Sequence, residues 1–91
     1  MTIQISKFGD ILISRPAGKE AFLAAQAYIF PKTGIKNEKV ELDFLGVKVL
    51  SPSWADEFIS GIKAAYTNDI AYLNTENPSV KQTLKTLNGA A

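Results

Sequence analysis

From Lys39 to Phe44, Val40, Leu42 and Phe44 alternate with Lys39, Glu41 and Asp43, the period of a strand with one face in a core. Val47, Val49 and Leu50 carry apolar character on to a break at Ser51-Pro52-Ser53, where a helix begins. Proline suits the first helical position, where its missing N–H is not needed. Ser53 and Asp56 have the spacing of a capping box in its acidic form, which makes Ser53 the expected cap, and Glu57 adds negative charge at the positive end of the dipole. Beyond the cap, Ala55, Phe58, Ile59, Ile62 and Ala65 recur at helical spacing, which predicts a helix packed on a sheet and ending before Asn68.

The flanking segments support this strand–cap–helix unit. Thr2 to Ser6 alternates with Ile3 and Ile5 on one face and predicts a first strand. Phe8-Gly9-Asp10 reads as a turn, and Ile11-Leu12-Ile13 as a second strand; so short a connection predicts antiparallel pairing. Ser14-Arg15-Pro16 opens a helix with Ser14 as its cap, running to about Tyr28 with Phe22, Ala25, Gln26 and Ile29 on one side, before Pro31 stops it. Lys32 to Glu38 is the most loop-like stretch. Asp69 to Asn74 predicts a further strand, apolar on both faces. Asn77-Pro78 then starts a last helix with Val80, Leu84 and Leu87 on one side, ended by Asn88-Gly89. The order β-β-α-β-α-β-α predicts an α/β domain spanning residues 1–91, with a four-stranded mixed sheet and three helices.

Composition narrows the chemistry. The chain of 91 residues is 46% hydrophobic, enough for one domain with its own core. Ten basic and nine acidic residues give a net charge of +1 with no run of one sign, which argues against nucleic-acid or membrane-surface binding. Cysteine and histidine are both absent, removing thiol chemistry, thiolate metal sites, the commonest general base and the commonest metal ligand. No segment has the pattern of a signal peptide and no apolar run approaches a membrane span, so a cytoplasmic chain without a cofactor is expected.

The run LDFLGVKVLSPSWADEF, Leu42 to Phe58, resembles the STAS-like domains of bacterial proteins, whose typical stretch reads LDF, then GV, then Ser-x-Ser, an aromatic residue and ADE. FGDILISRPAG (Phe8 to Gly18) and IAYLNTENPSVKQTL (Ile70 to Leu84) extend the resemblance over most of the chain. That family is in turn similar to true STAS domains, the best known of which are anti-sigma-factor antagonists. The resemblance implies a mixed sheet with helices, a kinase-like ATP-binding partner, and a switch by phosphorylation of a serine in an Asp-Ser-Ser-Gly motif at the start of the second helix. Laid on that motif, Ser51 falls on the Asp, Pro52 on the first serine, Ser53 on the second and Trp54 on the Gly. Proline therefore stands where the usual acceptor hydroxyl would be.

The expected partner-binding residues are Ser51, Ser53, Trp54, Asp56 and Arg15, with Ser53 and Ser51 the candidate phosphorylation sites. Each has a plainer role beside the functional one. Ser53 can be only a cap, and Trp54 either core or a part-exposed anchor of the kind found at interface hot spots. Arg15 can be solvated or can bind an anion or a carboxylate. Asp43, Asp56 and Glu57 could be read as paired carboxylates for acid–base or magnesium chemistry, but alternation turns Asp43 away from the core and the other two serve the helix dipole. The function expected is a non-enzymatic regulatory module of bacterial or phage origin that binds a protein partner, with homodimerisation open to it. The alternative is a sensor binding a nucleotide or other anion at the same helix start.

Overall fold

A computed structural model describes residues 1–30 and 38–88. The readings for Pro31, most of the Lys32 to Glu38 loop, and Gly89 lie outside the described residues. In chain order the elements are β1 (Thr2–Gln4), a 3-10 turn (Ile5–Phe8), β2 (Ile11–Leu12), α1 (Arg15–Tyr28), β3 (Val40–Asp43), β4 (Val49–Leu50), α2 (Pro52–Ala65), β5 (Ile70–Leu73) and α3 (Pro78–Leu87). The α/β class and all three helices agree with the hydrophobic pattern.

The sheet differs from expectation. Among the described residues five strands form two sheets, β1-β3-β5 and β2-β4, and every pairing is parallel. The expected single four-stranded mixed sheet and its antiparallel opening hairpin are not what the chain forms. Ile5 to Phe8 wind into a 3-10 turn that buries Ile5 completely. The turn also brings Phe8 against Phe58 and Trp54, with ring centroids 5.3 and 6.1 Å apart. Strand β2, freed from β1, pairs with β4 in the register Ile11↔Val49 and Leu12↔Leu50, and α1 lies on the crossover between the two, as a parallel pair requires.

One apolar cluster underlies both sheets, with Ile3, Ile5, Val40, Leu42, Leu50, Phe58, Ile62 and Val80 at its centre. Helix α1 meets α2 at unusually short range because of Gly18. A Cβ there would stand 2.5 Å from the Trp54 carbonyl oxygen and 2.9 Å from its Cα. The two backbones are in contact, and Gly18, Ala21 and Ala25 are the buried residues of α1, with Phe22, Gln26 and Ile29 of the expected side half-buried beside Ala25.

The far edge of β4 is completed by side chains instead of another strand. The Leu50 N–H donates to Ser79 Oγ at 3.0 Å, and the Leu50 carbonyl accepts from Thr83 Oγ1 at 2.5 Å and from Ser79 Oγ at 3.4 Å. Ser79 and Thr83 lie one turn apart on α3, so a single helix face satisfies both backbone groups.

Replacing Gly18 with Ala is expected to destabilise the fold by about 1–3 kcal/mol, because the neighbour is backbone and cannot step aside. Gly61→Ala meets only the half-buried Phe22 ring, 2.8 Å away, and should cost less; urea unfolding of the pair checks the order. Thr83→Val, which keeps the shape but removes the donor to a buried carbonyl, should cost about 1–3 kcal/mol in the same assay.

Candidate functional site

The register Leu12↔Leu50 brings the ends of two parallel strands level, so the helices that follow them start side by side. This is the carboxyl end of the sheet, where open α/β folds place their binding crevices. Each start is built locally. Ser14 caps α1, its Oγ accepting from the Ala17 N–H at 3.3 Å, with Arg15 and Pro16 opening the helix. Its backbone sits at φ 81°, ψ 141°, a conformation that costs a serine about 1–3 kcal/mol.

At α2 the cap is Ser51 rather than Ser53. Ser51 Oγ accepts from the Trp54 N–H at 3.2 Å, and Pro52 takes the first helical position. The expected capping box gives way to the proline rule: Pro52 fits only at the first helical position, so the cap must precede it. The Ser51 N–H also donates to the Leu12 carbonyl at 2.9 Å, and its carbonyl accepts from Ala55 at 3.1 Å. Ser53 is thereby left half-buried within the first turn.

Asp56 is released from the cap as well. Arg15 Nη1 donates to Asp56 Oδ2 at 2.8 Å and lies 3.7 Å from Glu57 Oε2, while Ser60 Oγ donates to Asp56 Oδ1 at 3.1 Å. The Arg15 hydrogen bond, with help from Ser60, holds the Asp56 carboxyl below its ordinary value of 3.8, and the same bond raises the Arg15 pKa. With its charge matched by two carboxylates, Arg15 offers little net attraction to an added anion. Its role here is to tie the start of α1 to the start of α2.

Trp54 belongs to the core, at 3% exposure, stacked on Phe58 with centroids 5.2 Å apart and planes at 12°. Of the two roles expected for it, core and part-exposed anchor, the structure bears out the first. The first turn of α2 rolls its ring inward, where Phe8 and Phe58 receive it. Asp43, half-buried at the end of β3, accepts from the Leu45 N–H at 3.0 Å and from Asn74 Nδ2 at 2.8 Å. These bonds, Asn74 foremost, lower its pKa. Among the described residues no group of three or more acidic side chains could hold a metal ion, and no helix is long and apolar enough to cross a membrane.

Beside the helix starts runs an open trough of about 450 Å³ between β2 and α1, walled by Phe8, Ile11, Ile13, Ala17 and Ala24, with Trp54 at its floor. The structure thus brings Arg15, Ser51, Ser53 and Asp56 to one end of the fold, with Trp54 beneath them. Ser60 and the trough-lining isoleucines join the site although the pattern of the chain did not single them out for it, and Glu57, assigned from the sequence to the helix dipole, joins it through Arg15. A carboxylate one residue after Asp56 and a hydroxyl four residues after it were the available signals.

Residues 27–80, more than half of the chain, match the family of STAS-like domains of unknown function, and the chain belongs to that family. The matched span runs from the end of α1 into α3 and includes the capped start of α2. No curated protein and no solved structure matches the chain.

The depressed Asp56 pKa has a definite sign. Its stabilisation is present above the ordinary carboxylate value and is lost as pH falls through the lower folded-state value. Arg15→Ala should therefore show a flatter loss of stability on acidification than the parent chain, by urea midpoints taken from neutral pH down through the carboxylate range. Asp43 contributes equally to both chains and cancels in the difference.

Proposed function

We propose that this domain is a non-enzymatic regulatory module that binds a protein partner through the paired starts of α1 and α2. The observation that carries this reading is the Arg15–Asp56 bond at 2.8 Å, which joins two capped helix starts into one fixed surface. Arg15, Ser53, Asp56 and Glu57 form its polar part and Trp54 stiffens it from below. Interfaces combine an apolar centre with such a polar rim, and the neighbouring trough supplies apolar surface. The resemblance of Leu42 to Phe58 to STAS-like domains, a family in turn similar to anti-sigma-factor antagonists, points to a kinase-like ATP-binding protein as the partner class.

A phosphorylation switch, in this reading, acts at Ser53. The Ser51 hydroxyl is engaged in the cap, whereas Ser53 occupies the first turn, where helix N–H groups tolerate a phosphate. Asp56 and Glu57 follow it by three and four residues, so added negative charge there raises repulsion on the same helix face. Modification would then change the charge of the surface at the point where the partner rests.

Affinity capture from the native host, with the parent chain and a Ser53→Asp, Arg15→Glu variant, tests the proposal. Circular dichroism first confirms that the variant folds. The expected result is recovery of a kinase-like ATP-binding protein by the parent and its loss from the variant, reproduced by calorimetry with the purified partner. Equal recovery by both chains would remove the helix starts from any role in binding.

A further inference from the structure

The trough between β2 and α1 has a single charged residue in its wall, Glu20. The ionic groups around its ends are already paired within the chain: Asp10 lies 3.7 Å from Lys48, and Arg15 lies against Asp56 and Glu57. Glu20 has no cation within ion-pair range among the described residues. Its neighbours one turn away on α1 are Pro16, Ala17, Leu23 and Ala24, none of them charged. Lys19, adjacent in sequence, faces another side of the helix.

The opposite wall is apolar and open. Ile11 and Ile13 are 58% and 54% exposed, and Val49, paired with Ile11 across the sheet, is 39% exposed. Apolar side chains gathered in one exposed patch with a polar rim mark an interaction surface. The small residues Ala17 and Ala24 leave a hollow on the helix side, and Trp54 closes the bottom. Whatever covers this hollow also takes water from the Glu20 carboxylate. A wholly apolar occupant would leave that charge uncompensated, and an acidic one would repel it; a cation offsets the loss.

We infer that the trough seats a short segment of the protein partner that carries apolar side chains next to a lysine or arginine. The apolar side chains lie between the isoleucines and the small face of α1, above Trp54, and the cation meets Glu20 at the rim. Glu20 is then a specificity residue, since it favours basic segments and turns acidic ones away. The inference rests on the partner-binding reading above and deepens it. The trough adjoins the paired helix starts, so one partner covers both.

Selection from a random displayed-peptide library, on the purified parent chain and on Glu20→Lys, tests this. Position 20 is exposed, so circular dichroism should be the same for both chains. The parent should enrich peptides with lysine or arginine beside apolar residues, and Glu20→Lys should enrich acidic residues in their place. A synthetic peptide of the parent's consensus should bind the parent several-fold tighter than Glu20→Lys or Ile13→Gln by calorimetry. The Glu20 difference should narrow as salt is raised. No enrichment, or the same peptides from both chains, overturns the inference. So does a parent chain that dimerises in sedimentation equilibrium and reverts to monomer on Glu20→Lys, which would make a second copy the occupant. In the capture experiment above, a Glu20→Lys chain that keeps the partner while the Ser53→Asp, Arg15→Glu variant loses it refutes the trough and leaves the helix starts standing. The opposite pattern supports the trough and removes the helix starts.

Discussion

The arrangement of the molecule rests on the contact between Gly18 of α1 and the backbone of Trp54 in α2. Without a side chain at position 18 the first helix comes close enough for its start to stand beside that of the second. Trp54 is then sandwiched between that helix backbone and the Phe8 and Phe58 rings. The ion pair between Arg15 and Asp56 is exposed, and an exposed pair adds little stability by itself. It forms because Gly18 has already placed its partners, and it then selects one relative orientation of the two helix starts. The candidate surface is a product of close backbone packing first and of charge second.

The helices were legible in the chain because each announces itself with a side-chain cap and a proline: Ser14 before Arg15-Pro16, Ser51 before Pro52 and Asn77 before Pro78. The pairing of strands was not. Ile11-Leu12-Ile13 carries the same alternation whether it folds back on Thr2–Gln4 or crosses to Val49–Leu50, and nothing within it marks the distant strand as its partner. Trp54 was ambiguous for a related reason, since a residue in the first turn of a helix can face either the sheet or the solvent. At α2, two local rules competed for the cap, and the rigid φ of Pro52 outweighed the spacing of Ser53 and Asp56.

The polar contacts of the site lay beyond any local reading. Arg15 and Asp56 are 41 residues apart, and nothing in either neighbourhood marks the other as its partner. Ser79 and Thr83 read as small polar positions on a helix, although Thr83 is buried and holds the backbone of β4. Membership of a family of STAS-like domains of unknown function names neither an activity nor a partner. The surface made where β2 and β4 end is where the polar groups of the two helix starts meet.

The hydroxyls of α3 take the place that a sixth strand would occupy, and this has a consequence for the order in which the fold is completed. Leu50 precedes Thr83 by 33 residues, so during synthesis β4 leaves the ribosome well before the side chains that close it. At the pace of translation that interval is on the order of seconds. Over that time the Leu50 N–H and carbonyl can be served by water or by another chain's backbone. The nascent domain thus passes through a stage with the outer side of β4 open, and arrival of the last helix closes it.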